Sequence, residues 1–191
     1  MTGRSGLLRQ LGSAEIVAQV VEARRLRPIR KVVLMGMGEP AHNLDNVLEA
    51  IQVLGTDAMI GHRNLVFSTV GDARVFERLP QGRVRPALAL SLHSTRADLR
   101  ASLLPRAPHL DPADLVAAAQ HYGRTIGYPV QYQWTLIEGV NDTDEEIEGI
   151  VRLLAGQYAV MNLIPLNAIP DSPYRRPSWE RAATMARTLH Q

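Results

Sequence analysis

The sequence predicts an α/β protein, a single domain built on a parallel sheet of about five strands covered by helices. Short apolar runs alternate with stretches of helical periodicity along the whole chain, the order that successive βα units produce. Most of those runs carry no polar alternation, as expected for strands buried on both faces. The 191 residues suffice for one sizeable core but not comfortably for two.

Residues 1–12 are polar and non-periodic and read as a loop. Ser13 is the expected N-cap of a helix bearing Ile16, Val17, Val20 and Val21, closed by the cationic segment Ala23-Arg-Arg-Leu-Arg-Pro28. The stretch 31–37 reads as a buried strand that opens into the turn Gly36-Met-Gly-Glu-Pro40. A helix begins at Asn43 or Asp45, presents Leu44, Val47, Leu48, Ile51 and Leu54 on one face, and is stopped by Gly55. Residues 64–69 form the second strand, followed by a short helix near 72–79, and residues 85–90 form the third. Helices follow at about 95–102 and 111–125, the latter opened by Asp111 with Pro112 at its first position. A fourth strand at 130–137 leads to a helix capped by Thr143, with Glu146 completing a capping box. The fifth strand spans 159–165, and a proline-rich loop leads into a last helix.

In parallel α/β folds, ligands gather at the C-terminal ends of the strands. Polar clusters recur there: Gly38-Glu39, Ser68-Thr69, Ser91 with His93, Glu138 with Asn141, and Asn167. One such cluster means little, but five in succession describe a ligand cleft. Glu39 could bind an ammonium group, act as a base or merely cap the next helix. His93 has no second histidine at ligand spacing, so a metal site is not expected. Ser68 and Ser91 lack the context of a nucleophile and read as hydrogen-bonding groups. Gly36 and Gly38 miss the third glycine of a dinucleotide-binding turn.

Composition narrows the function classes. Cysteine is absent, which removes disulfides, thiolate catalysis and cysteine-held metals from these residues. No apolar run is long enough to span a membrane and the N-terminus has no signal-like core, so a cytoplasmic location is expected. The net charge is only +2, yet every basic residue except Lys31 is arginine. Phosphate contact would explain arginine. With no cluster of five or more along the sequence, a compositional bias of the source genome is the simpler expectation.

Several blocks together carry a family resemblance. Met35-Gly-Met-Gly-Glu-Pro40 with Asn43-Leu-Asp-Asn-Val47, Phe67-Ser-Thr-Val-Gly71, Ala89-Leu-Ser-Leu-His93, Gly139-Val-Asn-Asp142, Asn162-Leu-Ile-Pro-Leu-Asn167 and Ser172-Pro-Tyr174 closely resemble the radical S-adenosylmethionine (SAM) RNA methyltransferases. Those enzymes methylate C2 of adenine in 23S rRNA and certain tRNAs, and a related resistance subgroup methylates C8. The resemblance covers nearly the whole chain. It implies a partial (β/α) barrel whose strand ends hold SAM, with Gly38, Glu39, Ser68, Ser91, Leu92, His93 and Asn167 as its contacts. It also implies RNA as substrate and an electron donor as partner.

The departures from that family are specific. Its members hold a [4Fe-4S] cluster on a Cys-x-x-x-Cys-x-x-Cys loop, and Met1-Thr2-Gly3 resembles the residues directly after the third cysteine. They also use a further cysteine near the C-terminus to accept a methyl group. Residues 1–191 are therefore expected to be one domain, incomplete at both ends and inactive alone, with no catalytic or metal-binding residue of its own. Two alternatives remain open. One is a different radical SAM enzyme on the same barrel. The other is a cysteine-free relative acting as a non-catalytic RNA- or SAM-binding module.

Overall fold

The computed structural model describes residues 6–35, 38–167 and 172–190. Five strands, β1 (Val32–Leu34), β2 (Leu65–Thr69), β3 (Ala87–Ser91), β4 (Val130–Leu136) and β5 (Ala159–Pro165), form one sheet in sequential order. Every neighbouring pair is parallel. The crossovers carry α2 (Leu44–Thr56), α3 (Ala73–Arg78), α4 (Ala97–Leu103) with α5 (Pro112–Ile126), and α6 (Asp144–Leu154); α1 (Ser13–Leu26) and α7 (Trp179–Leu189) flank the set.

Sequential strand order with crossovers of one hand places all helices on one face, as in the wall of a (β/α) barrel. The side chains follow that geometry. Leu65, Phe67, Leu88, Leu90, Tyr132, Trp134 and Leu136 point to the helices and share one core with them. Alternate residues point to the opposite, concave face, where Val66, Ala87 and Ala89 form a small separate cluster with Tyr128. Ser68, Ser91, Gln133 and Asn162 lie on the same concave face. Helices thus cover one side of the sheet rather than both. β3 reads as an apolar run because two of its concave positions, Ala87 and Ala89, are small and buried.

Three local expectations shift. Gly12, not Ser13, caps α1, and its N–H donates to the Glu15 carboxylate at 2.9 Å. Gly55 lies inside α2 instead of ending it. A Cβ there would stand 2.5 Å from Val84 Cγ1, so the glycine serves a close helix–loop contact. The strand expected at 31–37 is observed at Val32–Leu34, and Gly36 and Met37 lie outside the described residues.

Candidate functional site at the C-terminal strand ends

Glu39 follows β1 and caps a 3₁₀ turn over Pro40–Asn43. Its Oε1 accepts from the Ala41 N–H at 3.2 Å, and its Oε2 accepts from the Val70 N–H, just past β2, at 2.8 Å. The cap expected of a turn acid is therefore real, and the same carboxylate also ties β1 to β2. Each oxygen retains a lone pair for a further donor. Gly38, one residue earlier, is exposed with nothing within 4 Å of where a Cβ would stand.

Ser68 and Ser91 sit on the concave face of adjacent strands. Ser68 pairs with Ala89, so Ser91 lies one pleat further along, about 8 Å away by strand geometry. Beyond Ser91 the chain turns sharply. Leu92 is fully buried on the helix side, its N–H donating to Gln133 O and its carbonyl accepting from the Ser94 N–H at 2.9 Å. That i to i+2 bond is a γ-turn centred on His93, whose φ is +61°. Non-glycine residues adopt this region at a cost and mostly where the surroundings enforce it.

The enforcing contacts are visible. The Thr135 N–H donates to His93 Nδ1 at 2.9 Å, and His93 O accepts from Asn141 Nδ2 at 2.7 Å. Burial, and secondarily the nearby Arg100 cation, lower the His93 pKa to about 4. The imidazole is therefore neutral at pH 7. With Nδ1 accepting, the proton sits on Nε2, which becomes a fixed hydrogen-bond donor.

Asn141 is fully buried and saturated. Its amide donates to His93 O and Thr135 O, and its Oδ1 accepts from the Ile137 N–H. It clips the ends of β3 and β4 together, and its complete burial closes it to a ligand, so its place in the strand-end pattern is structural. Glu138 is exposed. Asn167, after β5, is exposed, while the preceding Leu166 N–H donates to Leu136 O.

Two buried charged side chains beside the candidate site escaped the sequence pattern. Arg100 of α4 is 2% exposed and donates through Nη2 to the carbonyls of Val70 and Ser91, the latter at 3.2 Å. Its Nε is buried without a partner, and burial lowers its pKa. This cation joins the ends of β2 and β3 and raises the local potential around His93. Its only sequence signal was helical spacing with Leu103 and Leu104, which is uninformative for an arginine.

Glu146 was expected to reach back to its own helix start. The Thr143 hydroxyl does accept from the Glu146 N–H at 3.3 Å, but the carboxylate faces elsewhere. It accepts from Ser94 Oγ at 2.5 Å and from Thr95 N and Oγ1 at 2.8 and 2.5 Å. It thereby anchors the segment after His93 to α6. Gly149 permits that approach, since a Cβ there would stand 2.3 Å from Thr95 Oγ1. No group of three or more His, Asp or Glu among the described residues is placed to hold a metal ion.

No protein-family model matches the chain. Among curated relatives, a Leptothrix cholodnii protein named "Probable RNA methyltransferase" is 73% identical over 191 residues, all of this chain and 55% of that protein. A probable RNA methyltransferase of Pseudomonas aeruginosa is 69% identical over 190 residues, again 55% of its length. The chain thus spans about half the length of the curated relatives it matches. Among solved structures, a radical SAM methyltransferase from Sphaerobacter thermophilus superposes with a TM-score of 0.87 at 37% identity, over 98% of this chain and 57% of that one. A domain of a pyruvate-formate lyase-activating enzyme from Bacteroides vulgatus matches at TM-score 0.64 and 18% identity, over 84% of this chain and 92% of that one. The second likeness speaks to fold alone. The architecture is that of a partial radical SAM barrel.

Proposed function

We propose that residues 1–191 form the SAM-holding domain of an RNA methyltransferase that acts on adenine, at C2 or C8, in 23S rRNA or tRNA. The observation that carries this reading is that Glu39, Ser68, Ser91 and His93 lie at the C-terminal ends of β1, β2 and β3, with Glu39 bonded to the Val70 N–H just past β2 and His93 to the Thr135 N–H of β4. The likeness to named RNA methyltransferases and to a radical SAM methyltransferase structure supports it.

The residues present suit SAM. Glu39, fixed by two backbone donors, offers its remaining lone pairs to an ammonium group. The hydroxyls of Ser68 and Ser91 lie on the same face of the sheet, and His93 offers a neutral imidazole with Nε2 as its donor. Leu92 has its side chain in the core and both backbone groups engaged. Its part in binding is to hold its neighbours. Asn167 and Gly38 complete the rim, the glycine leaving open space beside the carboxylate. When bound, SAM supplies the methyl group; these side chains orient it.

A [4Fe-4S] cluster held by thiolates does not fit the residues present, because the chain contains no cysteine. Adenine C2 is not nucleophilic and resists polar methyl transfer, so cofactor chemistry is needed for it. The reading therefore takes these residues as one domain of a longer enzyme, which also draws on an electron donor, and takes the chain alone as inactive. The length of the relatives supports this. A second reading, a non-catalytic RNA- or SAM-binding module, also accounts for the missing cysteine. Calorimetric titration with SAM tests the shared core of both: weak binding that Glu39→Gln abolishes is expected, and equal binding by the variant contradicts it. Methylation of RNA by the purified chain, with SAM and reductant, would overturn the predicted inactivity.

A further inference from the structure

The segments that lead into the strands meet at the opposite end of the sheet from the candidate site. There the fold collects cations that are scattered in sequence. Arg27, Arg30 and Lys31 precede β1, Arg63 precedes β2, and Arg83 and Arg85 precede β3. All six are exposed. None of them forms an ion pair among the described residues. In the corresponding stretches 27–31, 57–64 and 82–86, Asp57 is the one acid.

Two simpler explanations fail. Cations at helix C-termini answer the helix dipole, but that effect is confined to the last turn. Arg27 is the C-cap of α1 and Arg63 lies in a three-residue 3₁₀ turn, but Arg30, Lys31, Arg83 and Arg85 lie beyond any helix end. A genome-wide arginine bias would load both ends of the sheet alike. The segments that follow the strands instead carry Glu39, Asp72, Glu138 and Asp142 beside Arg96, Arg175 and Arg176.

The centre of this face is a pocket of about 200 Å³ lined by His62, Arg83, Arg85, Thr125, Ile126 and Tyr128. Arg83 makes no hydrogen bond among the described residues, and the Arg85 guanidinium reaches only Gly82 O at 3.4 Å. His62 Nδ1 accepts from the Arg85 N–H at 3.4 Å, leaving Nε2 free to donate. Tyr128 adds an aromatic ring to the same lining. Neighbouring parallel strands lie about 4.8 Å apart, so the starts of β1, β2 and β3 spread their cations over roughly 10 Å. Unpaired arginine forks in a row, with an aromatic ring beside them, match a phosphodiester backbone with its bases.

We propose that this N-terminal face of the sheet is a second RNA contact, binding backbone phosphates at the end of the domain remote from the methyl-transfer site. Its choice of RNA over other polyanions rests on the function proposed above. The test is binding of a short fluorescent single-stranded RNA to the 191-residue chain across a salt titration. Arg83→Glu/Arg85→Glu should weaken binding about tenfold or more and flatten the log–log salt slope by about 1.4, two phosphate contacts at about 0.7 each. Arg83→Gln/Arg85→Gln should show a smaller loss in the same direction, and thermal melts of both variants confirm that they fold. An unchanged affinity and slope in both variants overturns the proposal. So does binding to phosphatidylserine vesicles without binding to RNA. SAM titration of the same variants keeps the two proposals apart. If wild type fails to bind SAM, the function proposed above falls while the RNA result still decides this one.

Discussion

At the C-terminal end of the strands a set of polar side chains is already engaged: Glu39 on two backbone amides, Asn141 on three backbone groups, Glu146 on three donors and Arg100 on two carbonyls. At the N-terminal end the exposed cations before β1, β2 and β3 have almost no partners among the described residues. The contrast separates two ways of meeting a ligand. A saturated network fixes a few leftover lone pairs and protons in space, which suits a small molecule that must be oriented. Unpaired surface cations fix nothing, but they attract a polyanion whose exact register does not matter.

That difference makes the two ends respond oppositely to substitution. The largest effect should come from Asn141→Ala. It strands buried groups on His93, Thr135 and Ile137, and should cost about 3–4 kcal/mol in urea unfolding. Glu146→Gln keeps the shape but turns an amide toward donors on Ser94 and Thr95, for a loss of about 2 kcal/mol. Equal tolerance of both changes would break the picture of a rigid cradle.

His93 gives a pH signature to the same end. Folded, its imidazole titrates at about 4; unfolded, near 6.5. The unfolded chain therefore takes up the proton first. The stability it contributes is complete above about pH 6.5 and is lost as pH falls toward 4. His93→Gln should flatten that part of the pH–stability curve. Arg100→Met removes a neighbouring cation, so the His93 titration followed by NMR should move up. If it stays in place, Arg100 is only a strand tie. The smallest effect belongs to the other end: Arg83→Glu/Arg85→Glu should change unfolding stability by no more than about 0.5 kcal/mol. A large loss there would mean that those arginines build the fold.

The chain's periodicities revealed the strands and helices because apolar burial writes them directly into the sequence. β5 falls on the expected 159–165, and Asp111 and Thr143 cap the helices they were expected to cap. The polar strand ends were legible as a row. What each residue does there was not. Asn141 and Glu138 looked alike in sequence, yet one is buried and saturated and the other exposed, a distinction set by the turn over 137–142. Glu146 matched a local capping pattern and is used instead across 51 residues of chain. The cations before the strands were too far apart in sequence to read as a cluster. Parallel pairing alone brings their starting points together.

The central claim is that the ordered C-terminal end holds SAM. An amide NMR titration of the 191-residue chain with SAM tests it most directly. Binding at that end predicts weak, saturable shifts concentrated at Val70, Ser91 to Thr95 and Asn167, with the amides of Arg83, Arg85 and Tyr128 unmoved. Shifts confined to the N-terminal end, or none up to millimolar SAM, would contradict it.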